Sequence, residues 1–386
     1  MRSLLALGVL STVAVCSIAY LAPKPELVHV HVLFRHGDRA PIYTFPNDIH
    51  QEDAWPAGWG ELTTIGMNQL YEQGLKLKQR YIDELKYMNS TYKHKDVYIR
   101  SSDRGRTLQS AYALLAALYR DSEGTSGTIP EWPKTFSPVP VHTVPEKEDH
   151  LLNMDRTCPR KIFLERQRMS NPDMIAYLAR QQDLYDYLSK MTGMNVTRFS
   201  NIQYFFDTIL VERKHNLTIA PWITQELLDR IEAVLYKVSD FYYGMAGFGW
   251  PENPEIIRIN VGYLLYDIIG KMLNATKDVP RPKFFGYSTH DTTILSFLRT
   301  LGAKAKVTRG KRLIDMGAML TLELWKQEEN FFVKMMFAAN NTRPFEDVTK
   351  AIVGCPEGAM CPLETFVDLR QKYMLKDPVK ECFRES

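Results

Sequence analysis

The sequence lacks several features that would assign it to a class at once. Its 386 residues include 48 Lys and Arg against 45 Asp and Glu, so it lacks the charge excess typical of nucleic-acid binding. It contains no internal repeat, no low-complexity tract and no GxxxxGK[ST] phosphate loop. With 45% hydrophobic and 24% charged residues, the composition excludes a disordered or fibrous chain and indicates a folded globular protein.

Long apolar runs are scarce, and the one that stands out lies at the start of the chain. Arg2 is followed by an uncharged run at positions 4–20 that ends in small residues. This pattern predicts a secretory signal peptide over residues 1–19, with cleavage between 19 and 22, rather than a membrane anchor. Because the C-terminal tail is polar, we expect no anchor there, and therefore a secreted or lysosomal protein.

Cysteine is also scarce, and Cys16 would be removed with the signal peptide. The remaining Cys158, Cys355, Cys361 and Cys382 are an even number in a predicted exported chain, which indicates two disulfides with three possible pairings. The short Cys355–Cys361 loop carries Pro and Gly, which favours a local bridge there. No Cys-x-x-Cys pair exists, so a zinc site is disfavoured.

Sequons for N-glycosylation are frequent. A single Asn-x-Ser/Thr triplet arises easily by chance. The prediction of N-glycosylation therefore depends on the number of triplets in a chain that also has a predicted signal peptide. The five candidate acceptors are Asn89, Asn195, Asn216, Asn274 and Asn340.

Strand-like and helix-like segments alternate towards both ends of the chain. Short apolar runs at 27–34, 96–100 and 283–287 predict strands, each followed by a helical pattern, and two late strands are predicted between 320 and 337. This order predicts an α/β fold with a three-layer core, in which helices flank a mostly parallel central sheet.

The middle of the chain differs from its ends, being richer in charge and helical in spacing. It predicts a smaller, mainly helical cap domain inserted into the core. We therefore expect residues 23–130 and 246–386 to form the α/β core, and residues 131–245 to form the cap.

The strongest chemical signal follows the first predicted strand, in the segment RHGDRAP at 35–41. Ligands of open α/β sheets bind beyond the carboxyl ends of the strands, so Arg35, His36 and Arg39 are expected to face a ligand. Two guanidinium groups beside an imidazole repel one another unless an anion lies between them, and their forked geometry suits phosphate or carboxylate. Gly37 is expected to let the backbone turn sharply and approach that anion.

Two further strand ends carry residues of the same kind. Arg104 and Arg106 open the helix after the second strand, where the helix N-terminus also favours an anion. His290 and Asp291 are adjacent at the third strand–helix junction. An isolated Asp there most simply caps the helix, but a neighbouring His at the same edge of the sheet favours a joint site.

Together these segments resemble the histidine acid phosphatases of the animal lysosomal and prostatic type. The similarity covers nearly the whole mature chain and extends beyond RHGDRAP. The other matching segments are YIRSSDRGRTLQSA at 98–111, PVPVHTVPEKEDHLL at 138–152, YSTHDTT at 287–293 and CPEGAMCPLETF at 355–366.

The resemblance implies an acid phosphatase that hydrolyses phosphate monoesters through a covalent phosphohistidine, with no metal or cofactor. His36 would be the nucleophile and Asp291 the proton donor. The implied phosphate-binding residues are Arg35, Arg39, Arg106 and His290. Because basic neighbours and a helix N-terminus favour ionised Asp291, we expect this acid to work at acid pH.

The resemblance also implies a homodimer and the disulfides Cys158–Cys382 and Cys355–Cys361. Small phosphate monoesters are the expected substrates, with phosphoproteins or phospholipids as further candidates. Neither nucleic acid nor a stable membrane anchor is expected.

Three alternative functions are kept open. A phytase carries the same motifs but binds a more strongly anionic substrate. A metal-dependent hydrolase could use His29 and His31 of the first strand as ligands, although this leaves Arg35 and Arg39 unexplained. An inactive secreted binding protein would be expected to have lost His36 or Asp291.

Overall fold

The computed structural model describes residues 24–277, 282–358 and 360–384, so the predicted signal peptide lies outside the described residues. The strands are β1 (Glu26–Arg35), β2 (Val97–Ser101), β3 (Phe284–Thr289), β4 (Met319–Gln327), β5 (Asn330–Ala338), β6 (Glu346–Asp347) and β7 (Cys361–Pro362). The helices are α1 (Thr64–Leu77), α2 (Gly105–Leu118), α3 (Pro159–Met169), α4 (Pro172–Ala179), α5 (Gln182–Thr192), α6 (Phe199–Lys214), α7 (Gln225–Tyr242), α8 (Pro254–Ala275), α9 (Asp291–Thr300), α10 (Lys304–Val307), α11 (Leu363–Asp368) and α12 (Pro378–Cys382).

The central sheet has the strand order β2-β3-β1-β4-β5-β6, with β7 also paired to β5. The prediction of a mostly parallel sheet is confirmed only in part. Strand β3 runs parallel to β2 and β1, whereas β4, β5, β6 and β7 all pair antiparallel. For β4 and β5 the reason is local: they are joined through Glu328 and Glu329 alone, and so short a connection can only form an antiparallel hairpin.

The expected three-layer α/β arrangement is confirmed. Alternate residues of β1 point to opposite faces of the sheet: Val30, Val32 and Phe34 join the core beneath α1 and α2. Leu33 joins the core on the other face, beneath α8 and α9. Apolar side chains on both faces of β1 are typical of a central strand covered by helices on each side.

Helices α4 to α7 follow one another between residues 172 and 242 and share a second apolar core. Leu188, Phe205, Ile231 and Leu235 are among its buried members, and Phe45 from the loop after β1 packs into the same cluster. This contact attaches the helices to the loop that continues the first motif. Across residues 24–277, 282–358 and 360–384, none of the helices is both long and apolar enough to cross a bilayer.

Two disulfides are present, with the pairing that the family resemblance implies. Cys158, at the start of α3, is bonded to Cys382 in α12. Cys355 is bonded to Cys361 across a short loop. The first bridge fastens the start of the helical segment to the C-terminal part of the chain.

Candidate active site

The candidate site lies where the parallel strands end. Arg35 at the end of β1 is opposite Thr289 at the end of β3, so the next residues, His36 and His290, lie side by side with ring centroids 5.4 Å apart. Ser102, just beyond β2, has its hydroxyl oxygen 3.0 Å from Nε2 of His290. The strand register therefore brings the first and third motifs together.

All of the candidate catalytic and phosphate-binding residues line one cavity of about 1080 Å³. They are Arg35, His36, Arg39, Arg106, His290 and Asp291. Helices α5, α6 and α7 supply another part of the wall, with Tyr185, Tyr204 and Tyr242 among its residues. The cavity is much larger than a phosphate group, so it has room for the rest of a substrate.

His36 is held as a neutral imidazole with a defined tautomer. Its Nδ1 lies 2.8 Å from the carbonyl oxygen of Gly37, which can only accept a hydrogen bond, so Nδ1 carries the proton and Nε2 carries the lone pair. Burial, followed by the charges of Arg35 and Arg106, holds the pKa of His36 well below 6.5. The ring therefore stays unprotonated in mildly acid solution.

Two of the site arginines are oriented by carboxylates. Nη2 of Arg35 lies 3.1 Å from Asp291, and Nη1 donates to the carbonyl oxygen of Ile314 at 2.5 Å. Both terminal nitrogens of Arg39 donate to Asp207 on α6, each at 3.0 Å. A two-pronged contact of this kind fixes the plane of the guanidinium as well as its position.

Arg106 and His290 lie among positive charges. Burial, with the charges of Arg39 and Arg104, lowers the pKa of Arg106 to about 10. Burial also lowers the pKa of His290 to about 3, and the charge of Arg106 adds to the effect. An anion in the cavity would relieve this repulsion, so the electrostatics favour a negatively charged ligand.

Asp291 is the carboxylate of this basic site and opens α9. Its Oδ1 accepts a hydrogen bond of 2.8 Å from the backbone N–H of Thr292. Burial acts to raise the pKa of Asp291, but the charge of Arg35 outweighs it, and the net pKa is lowered. Asp291 is the first residue of the helix, and His290 occupies the N-cap position without a side-chain capping hydrogen bond.

Gly37 also has a steric role, besides the predicted approach to an anion. A Cβ atom at Gly37 would lie 2.3 Å from the carbonyl oxygen of Gly66 in α1, and one at Gly66 would lie 2.1 Å from the carbonyl oxygen of Asp38. Both contacts are too close for any side chain. The two glycines let the loop after β1 lie directly on α1, which sets the position of His36.

A comparison with known families agrees with this geometry. Residues 26–338 match the profile of the histidine phosphatase superfamily (branch 2). The chain belongs to this family.

Curated members of the family are similar over nearly the whole chain. Prostatic acid phosphatase of Bos taurus is 34% identical over 359 residues, which are 92% of this chain and 88% of that protein. Lysosomal acid phosphatase of Xenopus laevis is 32% identical over 381 residues, covering 98% and 84%.

Solved structures with the same fold include bacterial phytases. Phytase from Citrobacter braakii superposes with a TM-score of 0.63 at 17% identity, covering 93% of this chain and 100% of that one. Hafnia alvei phytase in complex with tartrate gives 0.65 at 16% identity, covering 94% and 99%. At this level of identity the likeness shows the fold.

The histidines of the metal-dependent alternative lie apart from this histidine phosphatase site. His29 and His31 are fully buried in the middle of β1, at least four residues before Arg35, and their rings pack against Phe285. Nδ1 of His31 is 3.3 Å from the Tyr287 hydroxyl. Within the part of the chain that the structure describes, no cluster of three or more His, Cys, Asp or Glu side chains could hold a metal ion.

Sequence reasoning missed several residues that position the family motif. Asp38, inside the motif, is fully buried and accepts hydrogen bonds from the Thr63 hydroxyl at 2.7 Å and from Nε2 of His215 at 2.6 Å. Nζ of Lys214 lies 3.0 Å from the same carboxylate. Lys214 is the last residue of α6, and Asp207 also lies on this helix. The helix therefore contacts the loop twice, through Lys214 on Asp38 and through Asp207 on Arg39.

Asp38→Asn is expected to lower the free energy of unfolding by about 1–3 kcal/mol, because it leaves Lys214 and His215 without their carboxylate. Burial acts to raise the pKa of Asp38, but the Thr63 hydrogen bond and Lys214 outweigh it and lower the pKa from 3.8. Such a group stabilises the fold above about pH 4 and stops doing so as the pH falls through its folded-state pKa. The loss of stability in Asp38→Asn should therefore be full near neutral pH and vanish in strong acid.

Urea unfolding of both proteins over a range of pH measures this difference. Asp183→Asn is the matched control, because Asp183 is an exposed partner of Arg230 and exposed pairs contribute little. It should unfold like the wild type at every pH. A loss in Asp38→Asn that persisted unchanged in strong acid would show that the carboxylate charge is not its cause.

Proposed function

We propose that this protein is a secretory-pathway acid phosphatase that hydrolyses phosphate monoesters through a phosphohistidine on His36. The observation that carries the proposal is the arrangement at His36: Nδ1 faces a carbonyl oxygen, and the ring shares a cavity with Arg35, Arg39 and Arg106. Nε2 is thus a neutral nucleophile in a site built for an anion.

The arginines would bind the phosphate that is transferred. Arg35, Arg39 and Arg106 offer forked donors for its three non-bridging oxygens, and His290 adds a donor from the N-terminus of α9. Phosphoryl transfer depends on positioning and charge stabilisation more than on strong bases. The carboxylates on Arg35 and Arg39 keep two guanidinium planes in place before substrate arrives.

The reaction would proceed in two steps. In the first, Nε2 of His36 forms a bond to phosphorus while the bond from phosphorus to the leaving oxygen breaks, and Asp291 gives that oxygen a proton. In the second, water bonds to phosphorus and passes a proton to Asp291, while the N–P bond breaks and phosphate is released. The Gly37 carbonyl would stabilise the Nδ1 proton while the ring is phosphorylated.

The remaining assignments follow the same proposal. Residues 131–245 would form the cap that contacts the leaving group, and the native protein would be a glycosylated homodimer, secreted or lysosomal. Among the sequons, Asn340 is the weakest candidate, because its side-chain nitrogen donates to Asp315 at 2.8 Å. Asn89, Asn195, Asn216 and Asn274 are exposed.

Trapping the covalent intermediate tests the proposal. Rapid quenching of the enzyme with a radiolabelled phosphate monoester is expected to give labelled protein whose label survives alkali and is lost in acid, as phosphohistidine requires. Peptide mapping should place it on His36, and His36→Ala should give no label. Label on His290, or turnover with no phosphoenzyme on the millisecond scale, would contradict the proposed route.

A further inference from the structure

The cavity contains a buried arginine that the proposed reaction does not use. Arg312 is only 6% exposed and lines the same cavity as His36. Its side chain forms no hydrogen bond or ion pair with any other residue in the described part of the chain, and its Nε is buried without a partner. Arg35 and Arg39, by contrast, each have a carboxylate partner.

Arg312 is held beside the reacting groups by the segment before β4. The carbonyl oxygen of Ile314, two residues further on, accepts the hydrogen bond from Arg35. The guanidinium carbon of Arg312 lies 5.5 Å from the centre of the Phe206 ring on α6. The side chain is therefore set between the loop that contacts Arg35 and the helical wall of the cavity.

Charged groups of both signs act on Arg312. Burial lowers its pKa, and the acidic groups that act against this are Asp291, Glu232 and Asp207. Arg312 and Asp291 line the same cavity, in which Asp291 would protonate the leaving oxygen.

A buried guanidinium with no hydrogen-bond acceptor or counter-ion is costly, and an anion in the cavity removes the cost. The transferred phosphate already has three arginines and His290. We propose that Arg312 binds a second anionic group, a phosphate or carboxylate, on the leaving group of the substrate. The preferred substrates are then phosphate monoesters whose alcohol carries another negative charge, an inference that rests on the proposed phosphatase function.

A matched pair of substrates tests this assignment. 3-Phosphoglycerate and glycerol 3-phosphate share the same leaving position, but only the first carries a carboxylate. Wild-type enzyme is expected to have the higher kcat/KM for 3-phosphoglycerate. Arg312→Gln should lower that value by about 10- to 100-fold and change glycerol 3-phosphate hydrolysis little, as expected for loss of one charge-assisted contact.

Two further variants make the test specific. Lys311→Gln removes the same charge from the exposed neighbouring position and should behave like the wild type on both substrates. Arg312→Lys keeps the charge without the fork and should retain part of the preference. Equal losses on both substrates in Arg312→Gln, or no loss on either, would overturn the assignment.

The outcomes also separate this inference from the function on which it rests. If wild-type enzyme hydrolyses glycerol 3-phosphate and His36→Ala does not, the phosphatase proposal stands whatever Arg312 does. If wild type hydrolyses neither substrate nor p-nitrophenyl phosphate, the proposed function fails first.

Discussion

His36→Ala is expected to lower kcat for p-nitrophenyl phosphate in acid by about 10⁴-fold or more, because the variant lacks the nitrogen that would bond to phosphorus. The rate should be measured from about pH 3 to pH 9, with and without EDTA. Wild-type activity should be highest in acid and should survive EDTA. Added imidazole should restore part of the variant's activity by occupying the space left by the ring.

The variant should remain folded and still bind phosphate, since Arg35, Arg39 and Arg106 are unchanged. Inorganic phosphate should therefore raise its Tm as it does for the wild type. His142→Ala is the matched control, because the His142 ring stacks on Tyr98 at 4.6 Å and does not line the cavity. Full activity in His36→Ala, or loss of wild-type activity in EDTA, would contradict the mechanism and favour metal chemistry at His29 and His31.

Asp291→Asn is expected to lower kcat by about 10²–10⁴-fold for glycerol 3-phosphate, and by much less for p-nitrophenyl phosphate. An alkoxide needs a proton in order to leave, whereas p-nitrophenolate leaves readily without one. Steady-state rates of the wild type and the variant on the two substrates give the two losses in kcat that are to be compared. An equal loss on both would mean that Asp291 orients Arg35 without acting as a proton donor.

The pH dependence of kcat gives a second measure of the role of Asp291 as a proton donor. In the free site the charge of Arg35 outweighs burial and keeps the pKa of Asp291 low. Bound phosphate shares Arg35 and adds negative charge, so the pKa of Asp291 rises in the complex. Because the reaction needs the protonated acid, kcat should fall as the pH rises through that value, and Asp291→Asn should lack this fall.

Asp207→Asn provides the matched carboxylate control for this experiment. Asp207 contacts Arg39 as Asp291 contacts Arg35, but it belongs to α6 rather than to the strand edge. Its loss should raise KM by loosening a phosphate-binding arginine. Asp207→Asn should keep the fall in kcat at higher pH and should lose activity similarly on both substrates. Both results would distinguish it from Asp291→Asn.

The sequence was most informative where residues close in the chain are also close in space. The first strand and its RHG motif form one continuous segment, and the order of strands and helices was enough to bring His290 to His36. The antiparallel half of the sheet departs from the predicted parallel order because the two-residue turn at Glu328 and Glu329 makes β5 run back along β4.

Contacts between distant segments could not be predicted in the same way. Asp207 and Lys214 lie in a helix with no recognisable motif, and His215 directly follows it, so the roles of all three depend on where that helix packs. Arg312 follows an unremarkable basic turn, and its burial beside Arg35 depends on the tertiary fold. In each case a charged side chain gains its significance from residues that lie more than 100 positions away in the chain.

Because Gly37 packs directly against Gly66, two neighbouring residues of one motif are constrained for different reasons. His36 is required for chemistry, but Gly37 is required because the loop and α1 touch through their backbones. A descendant of this protein that gave up catalysis could change His36 freely, yet any side chain at Gly37 would still force the loop away from the helix. Such a lineage should keep the glycine of the motif after losing its histidine, so the glycine marks ancestry of the fold and the histidine marks retained activity.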